Sequence, residues 1–135
     1  MSEVDQKGQD LAALSVLIVE DEYFIAAEMT ELLQKAGATV VGPFATAGEG
    51  LAQLNQVMPD CALVDINTGN GPSFELADAL VLHGVPFLFL TGYDAGTVPD
   101  RFSKIARIEK PADEREVLAE LIELRPMTIR APLSG

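Results

Sequence analysis

A chain of 135 residues, 48% of them hydrophobic, is long enough for one domain with a real core and too apolar to be disordered. Twenty-one acids against nine bases leave a net charge of −12, which argues against unaided nucleic-acid binding because such a chain repels phosphate backbones. A single cysteine and a single histidine exclude an internal disulfide and make zinc a poor fit.

No stretch is long enough to span a membrane. Leu11 to Val19 is apolar but lacks a basic leader and runs into acids, so it reads as a lead-in followed by a strand; a cytoplasmic protein is expected. That strand is Val16–Val19, and it ends in Glu20, Asp21 and Glu22. A helix follows over Tyr23 to Lys35, with Ile25, Met29, Leu32 and Leu33 on one face and Gly37 as its stop. Thr39–Val41 is the second apolar run. Thr46 and Glu49 read as a capping box for a helix carrying Leu51, Leu54 and Met58. Cys61–Val64 is the third run, with Cys61 a small core residue, and Asp65 stands at its end. Ser73 can cap a third helix carrying Leu76, Leu80 and Val81, with His83 near its end and Gly84 as its stop. Pro86–Leu90 leads to Thr91. Asp94 to Ser103 holds Gly96 and Pro99 and little periodicity, so it carries at best a short, marginal helix. Ile105–Ile108 is the fifth run, broken by Arg107 and followed by Lys110 and Pro111. Asp113 can cap a last helix that turns Val117, Leu118, Leu121 and Ile122 inward.

The runs are nearly all apolar, as strands covered on both faces must be. Strand–helix alternation with right-handed crossovers implies an α/β fold, a doubly wound five-stranded parallel sheet of order 2-1-3-4-5 with a short or weak fourth helix. The folded unit is expected over 13–125, with flexible tails at 1–12 and 126–135.

Ligands of such sheets bind beyond the carboxyl ends of the strands. Glu20, Asp21, Asp65, Thr91 and Lys110 all stand at those ends. Each has a plain structural reading: the acids cap a helix, Asp65 forms a turn, Thr91 finishes a strand and Lys110 is a solvated charge. Their convergence on one rim favours chemistry. Clustered carboxylates repel one another unless a cation sits among them, and oxygen ligands suit Mg²⁺. A carboxylate so placed beside an ammonium is poised to accept a phosphoryl group, with Asp65 the nucleophile.

The stretches "LIVEDE", "LVDIN", "FLTGYD" and "IEKP" resemble the four signatures of two-component response-regulator receiver domains, over roughly Ser15 to Leu124. The resemblance implies a flavodoxin-like receiver fold and Asp65 as phosphoacceptor. It implies Mg²⁺ held by Glu20, Asp21, Asp65 and the backbone carbonyl of Asn67, with Asp21 a direct ligand. Thr91 would bond a phosphoryl oxygen, Lys110 would bridge to Asp65, and Lys110–Pro111 would be cis. Glu22 would then sit in the first turn of the first helix.

Two departures stand out. The loop after Asp65, "INTGNGPS", carries Gly69 and Gly71 where the family has a proline-containing loop. Arg107 replaces the aromatic residue three positions before the lysine, so the usual threonine–aromatic switch has no ring. "PFLFLTGYD" is similar to the motif of the FAT-GUY receivers, which also lack that ring; Leu90 and Asp94 depart from it. That likeness implies a stand-alone, single-domain regulator and a sensor histidine kinase, of the HWE type, or a phosphotransfer protein as its partner. It implies an unknown downstream protein, no membrane or nucleic-acid partner, and a monomer or weak homodimer. Switching is expected to involve 93–104, with Tyr93 and Phe102 as movers beside Arg107; plain packing is the competing reading of both rings. Arg101, Lys104 and Arg107 make a small basic cluster, read first as a solvated face and otherwise as a surface that meets an acidic partner.

The expected function is phosphoryl acceptance on Asp65 without conventional enzymatic turnover, beyond self-phosphorylation and autodephosphorylation. Two alternatives stay open. A receiver-like interaction module that takes no phosphate is kept in view by the loop and Arg107. An aspartate-nucleophile phosphatase would need a second aspartate where Asn67 stands, and room for a cap domain.

Overall fold

The structure, a computed structural model, describes residues 11–66, 74–92 and 98–124. Five parallel strands, β1 (Ser15–Val19), β2 (Thr39–Phe44), β3 (Cys61–Asp65), β4 (Phe87–Thr91) and β5 (Arg107–Glu109), form one sheet in the order β2-β1-β3-β4-β5. Among the described residues four α-helices cover it: α1 (Tyr23–Lys35), α2 (Ala47–Leu54), α3 (Glu75–Leu82) and α4 (Glu114–Leu124). This is the doubly wound arrangement that the apolar runs imply.

The near-continuous hydrophobicity of the strands follows from a core on each face. Val16, Ile18, Cys61, Leu63, Leu88, Leu90 and Ile108 point one way, onto Met29 and Leu33 of α1 and Val117 and Leu121 of α4. The alternate residues Leu17, Val19, Ala62, Val64, Phe87 and Phe89 point the other way, onto Leu54, Leu76, Leu80 and Phe102. The buried Cys61 thiol is pushed up to about 12, burial first and the Asp60 charge second. β2 is the edge strand and is largely uncovered.

The helix stops work as the glycines suggest. Beyond α1, the Gly37 N–H reaches Gln34 O at 3.0 Å and the Ala38 N–H reaches Leu33 O at 3.0 Å. Beyond α3, Gly84 and Val85 repeat the pattern on Val81 and Leu80, at 3.0 and 2.9 Å. Both glycines have positive φ, 97° and 71°, which a side chain would oppose. Thr46 and Glu49 form the expected capping box on α2, and Asp113 Oδ1 accepts the Arg115 N–H at 2.8 Å on α4.

Several expectations need correction. Leu11, assigned to the N-terminal tail, is fully buried, and its N–H bonds to Ala36 O at 2.8 Å; the packed unit therefore reaches back past residue 13. α2 ends at Leu54, so Met58 lies beyond it and is exposed. β5 starts at Arg107, because Ile105 instead closes a turn, its N–H on Phe102 O at 3.0 Å. Between β4 and β5 the described residues hold a three-residue 3-10 helix, Asp100–Phe102, in keeping with the short or weak helix expected there. Ser73, Asp94, most of the loop after Asp65 and residues 1–10 and 125–135 lie outside the described residues. No helix among the described residues is long and apolar enough to cross a membrane.

Candidate functional site

β1 and β3 lie side by side, so the residues at their carboxyl ends meet. Glu20 follows β1 directly and is 2% exposed; Asp65 closes β3 and is 4% exposed. One carboxylate oxygen from each of Glu20, Asp21 and Asp65 lies within 4.8 Å of the others. Asp21 is on the surface. Thr91 ends β4, the next strand, and is nearly buried. Its carbonyl accepts the Lys110 N–H at 2.8 Å, which sets the start of the Lys110 side chain on the same rim. Lys110–Pro111 is cis, as is Gly42–Pro43.

The Lys110 ammonium lies among the acids. Nζ donates to Glu20 Oε2, Asp65 Oδ2 and Glu22 Oε2, each at 3.1 Å. Burial works against its charge, but the hydrogen bonds to Glu20 and Asp65 outweigh that and hold it charged above the usual lysine range. Glu20 shows the cost of the same burial. Desolvation pushes its carboxyl up to about 7; the Glu22 N–H, which donates to Oε2 at 2.9 Å, and Lys110 act in the opposite direction. Glu20 Oε1 lies 2.9 Å from Nζ as an ion pair, and among the described residues it accepts no hydrogen bond.

This donor set fits a hard divalent cation. The available ligand atoms are carboxylate oxygens on a half-open rim, and one buried oxygen lacks a hydrogen bond.

Glu22 departs from its expected place. It is the residue before the first turn of α1, and its side chain makes no capping bond. It turns to Lys110 instead, because the backbone of residue 22 is held against Glu20. Asn67 and Tyr93 lie outside the described residues. Phe102 is buried, stacked on Phe74 at 5.5 Å and edge-on to Phe89 at 5.8 Å. Arg107 is exposed at the start of β5. Arg101 is not a simple solvated charge. Its guanidinium forks onto Asp78 of α3 at 2.8 and 3.0 Å, lowering the Asp78 carboxyl by hydrogen bonding, and lies over the Phe102 ring.

Known proteins resemble this one in sequence and fold. The sequence matches the response regulator receiver domain family over residues 16–122. The chain is 37% identical to an uncharacterized response regulatory protein of Vibrio cholerae, over 60% of this chain and 35% of that one. It is 30% identical to the phyllosphere-induced regulator PhyR of Methylorubrum extorquens, over 88% of this chain and 48% of that one. The chain spans between 34% and 56% of the length of the curated relatives it matches. Among solved structures it is similar to SdrG from Sphingomonas melonis Fr1, with TM-score 0.74 and 33% identity, covering 85% of this chain and 97% of that one. The family match runs from β1 into α4 and takes in every strand end that carries an acid, the threonine or the lysine, and the protein belongs to the response regulator receiver domain family of two-component signalling.

Proposed function

We propose that the chain accepts a phosphoryl group on Asp65 from the phosphohistidine of a sensor histidine kinase, of the HWE type, or of a phosphotransfer protein, in the cytoplasm. The observation that carries this reading is the placement of the Asp65 carboxylate, buried at a strand end, 3.1 Å from the Lys110 ammonium and beside Glu20 and Asp21. An Asp65 oxygen attacks phosphorus. The phosphorus–nitrogen bond breaks, and its electron pair leaves with the imidazole nitrogen, which then takes up a proton. Lys110 and Thr91 meet the phosphoryl oxygens as negative charge builds there. Mg²⁺, held by Glu20, Asp21, Asp65 and the Asn67 carbonyl, would supply charge neutralisation at the same oxygens. The protein is a signalling phosphoacceptor; self-phosphorylation and hydrolysis of its own aspartyl phosphate are its only chemistry.

Switching uses the connection between β4 and β5, with Tyr93, Phe102 and Arg107 in place of the usual ring. Support comes from Phe102, which stacks on Phe74, the first described residue after the loop that follows Asp65. That ring contact joins the connection to the chain just before α3. SdrG has been solved in a BeF₃-activated conformation, at 33% identity to this chain and TM-score 0.70, which supports an analogous response here.

The test is incubation with acetyl phosphate or a phosphorylated kinase in Mg²⁺, followed by intact mass, with Asp65→Asn alongside. The expected result is one phosphoryl group on the native chain and none on the variant. No gain from either donor would overturn the reading. In a phosphoryl-analogue titration, amide shifts at residues 93–104 are expected; their absence while other regions move would refute the switching route.

A further inference from the structure

Among the described residues, Glu22 is the one partner of Lys110 outside the group of three acids able to hold a cation. A lysine ammonium has three hydrogens and no more. Here all three are directed at carboxylates, those of Glu20, Asp65 and Glu22. A phosphoryl oxygen arriving on Asp65 competes for Nζ with the remaining carboxylates, those of Glu20 and Glu22.

The burial of the three acids identifies which one gives way. The Glu20 and Asp65 side chains are 0% and 2% exposed, and neither can turn to water without opening the site. The Glu22 side chain is 61% exposed. Its backbone is fixed by the N–H bond to Glu20, but its carboxylate can rotate into solvent at little cost. We propose that Glu22 is a positioning residue for Lys110: it holds the ammonium in the unphosphorylated protein and competes with the phosphoryl group for it, so that it sets how tightly the site holds a phosphoryl anion. This rests on the phosphoacceptor reading above and deepens it.

The test is the affinity for beryllofluoride at saturating Mg²⁺, followed by amide NMR titration, for the native chain, Glu22→Gln and Glu109→Gln. Glu109 is an exposed acid next to Lys110 in the chain and opposite Thr91 in the sheet, so its variant reports loss of a nearby charge alone. Glu22→Gln is expected to bind about two- to fivefold more tightly, the range that one exposed ion pair supports. Glu22→Ala should shift affinity in the same direction, and Glu109→Gln should leave it unchanged. In the ligand-free protein, the Lys110 side-chain resonances should move in Glu22→Gln, a response that helix stability alone would not produce. Equal or weaker binding by Glu22→Gln, or equal tightening in Glu109→Gln, or unmoved Lys110 resonances would each overturn the proposal while leaving the phosphoacceptor reading standing. Failure of the native chain to bind beryllofluoride would overturn both.

Discussion

At the amino edge of the sheet, Asp60 accepts the Ser15 N–H at 2.8 Å and the Ser15 hydroxyl at 3.3 Å, and returns its own N–H to that hydroxyl at 3.0 Å. Around it a cavity of about 520 Å³ is lined by Met58, Pro59, Val81, His83, Pro86 and Ile105. At the carboxyl edge of the same strands, two buried acids share one ammonium, and one oxygen has no hydrogen bond. Both edges begin from apolar strands of the same kind. The first closes with every named polar group paired, as a structural end should. The second keeps two buried carboxylates on one ammonium, an excess of negative charge that a bound cation would relieve. The contrast separates the end whose polar groups close on one another from the end that gathers the acids and the lysine.

That contrast can be broken most sharply at Lys110. Lys110→Ala leaves Glu20 and Asp65 buried without their cation and should cost about 3 kcal/mol in urea unfolding without metal. Added Mg²⁺ should recover part of the loss, since it binds the folded site alone. A variant as stable as the native chain without Mg²⁺ would show that the edge is not strained.

Glu20 should give the next largest response. Its folded carboxyl titrates at about 7, above its ordinary 4.5, so between those values the folded state holds the proton more firmly than the unfolded state does. Stability without metal should therefore rise as pH falls from about 7 towards 4.5, and be lost as pH rises through 7. Melting curves of Glu20→Gln, which cannot titrate, should show a shallower slope over that range. Identical slopes would remove the burial penalty from the account.

At the amino edge, Asp60→Ala should cost about 2 kcal/mol, the value of hydrogen bonds to a charged acceptor. Its stabilisation by Mg²⁺ should equal that of the native chain, because Asp60 belongs to the other end. A lost metal response would merge the two regions. The smallest effect is expected at Gly84, where an added Cβ meets nothing within 4 Å but φ is +71°. Gly84→Ala should cost about 1 kcal/mol of conformational strain alone, read as a shift in urea midpoint with phosphoryl acceptance unchanged.

Much of this site was legible because its residues lie at the ends of apolar runs. Glu20, Asp65, Thr91 and Lys110 could be placed on one rim once five buried strands were counted. α1 could be bounded at Tyr23 and Lys35, since Gly37 marks its stop, and the Thr46–Glu49 box marks α2 in the same way. Local rules failed where side-chain contacts across the fold decide the outcome. Met58 continues the spacing of α2 yet lies past its end. Ile105 looks like strand but folds back onto Phe102. Leu11 looks like tail but fills the core beside α1.

The sequence by itself determined the strand–helix order, the double-sided core and the identity of the acids and lysine at the strand ends. These follow from the period of apolar residues and from capping and stop signals, which act over a few residues. Only the tertiary structure decided the pairings. Glu22 lies 88 residues from Lys110, and Arg101 lies 23 from Asp78; no local rule joins them. Which partner a long charged side chain takes depends on where the sheet's twist and the helix packing place its neighbours, and on how much water is left between them.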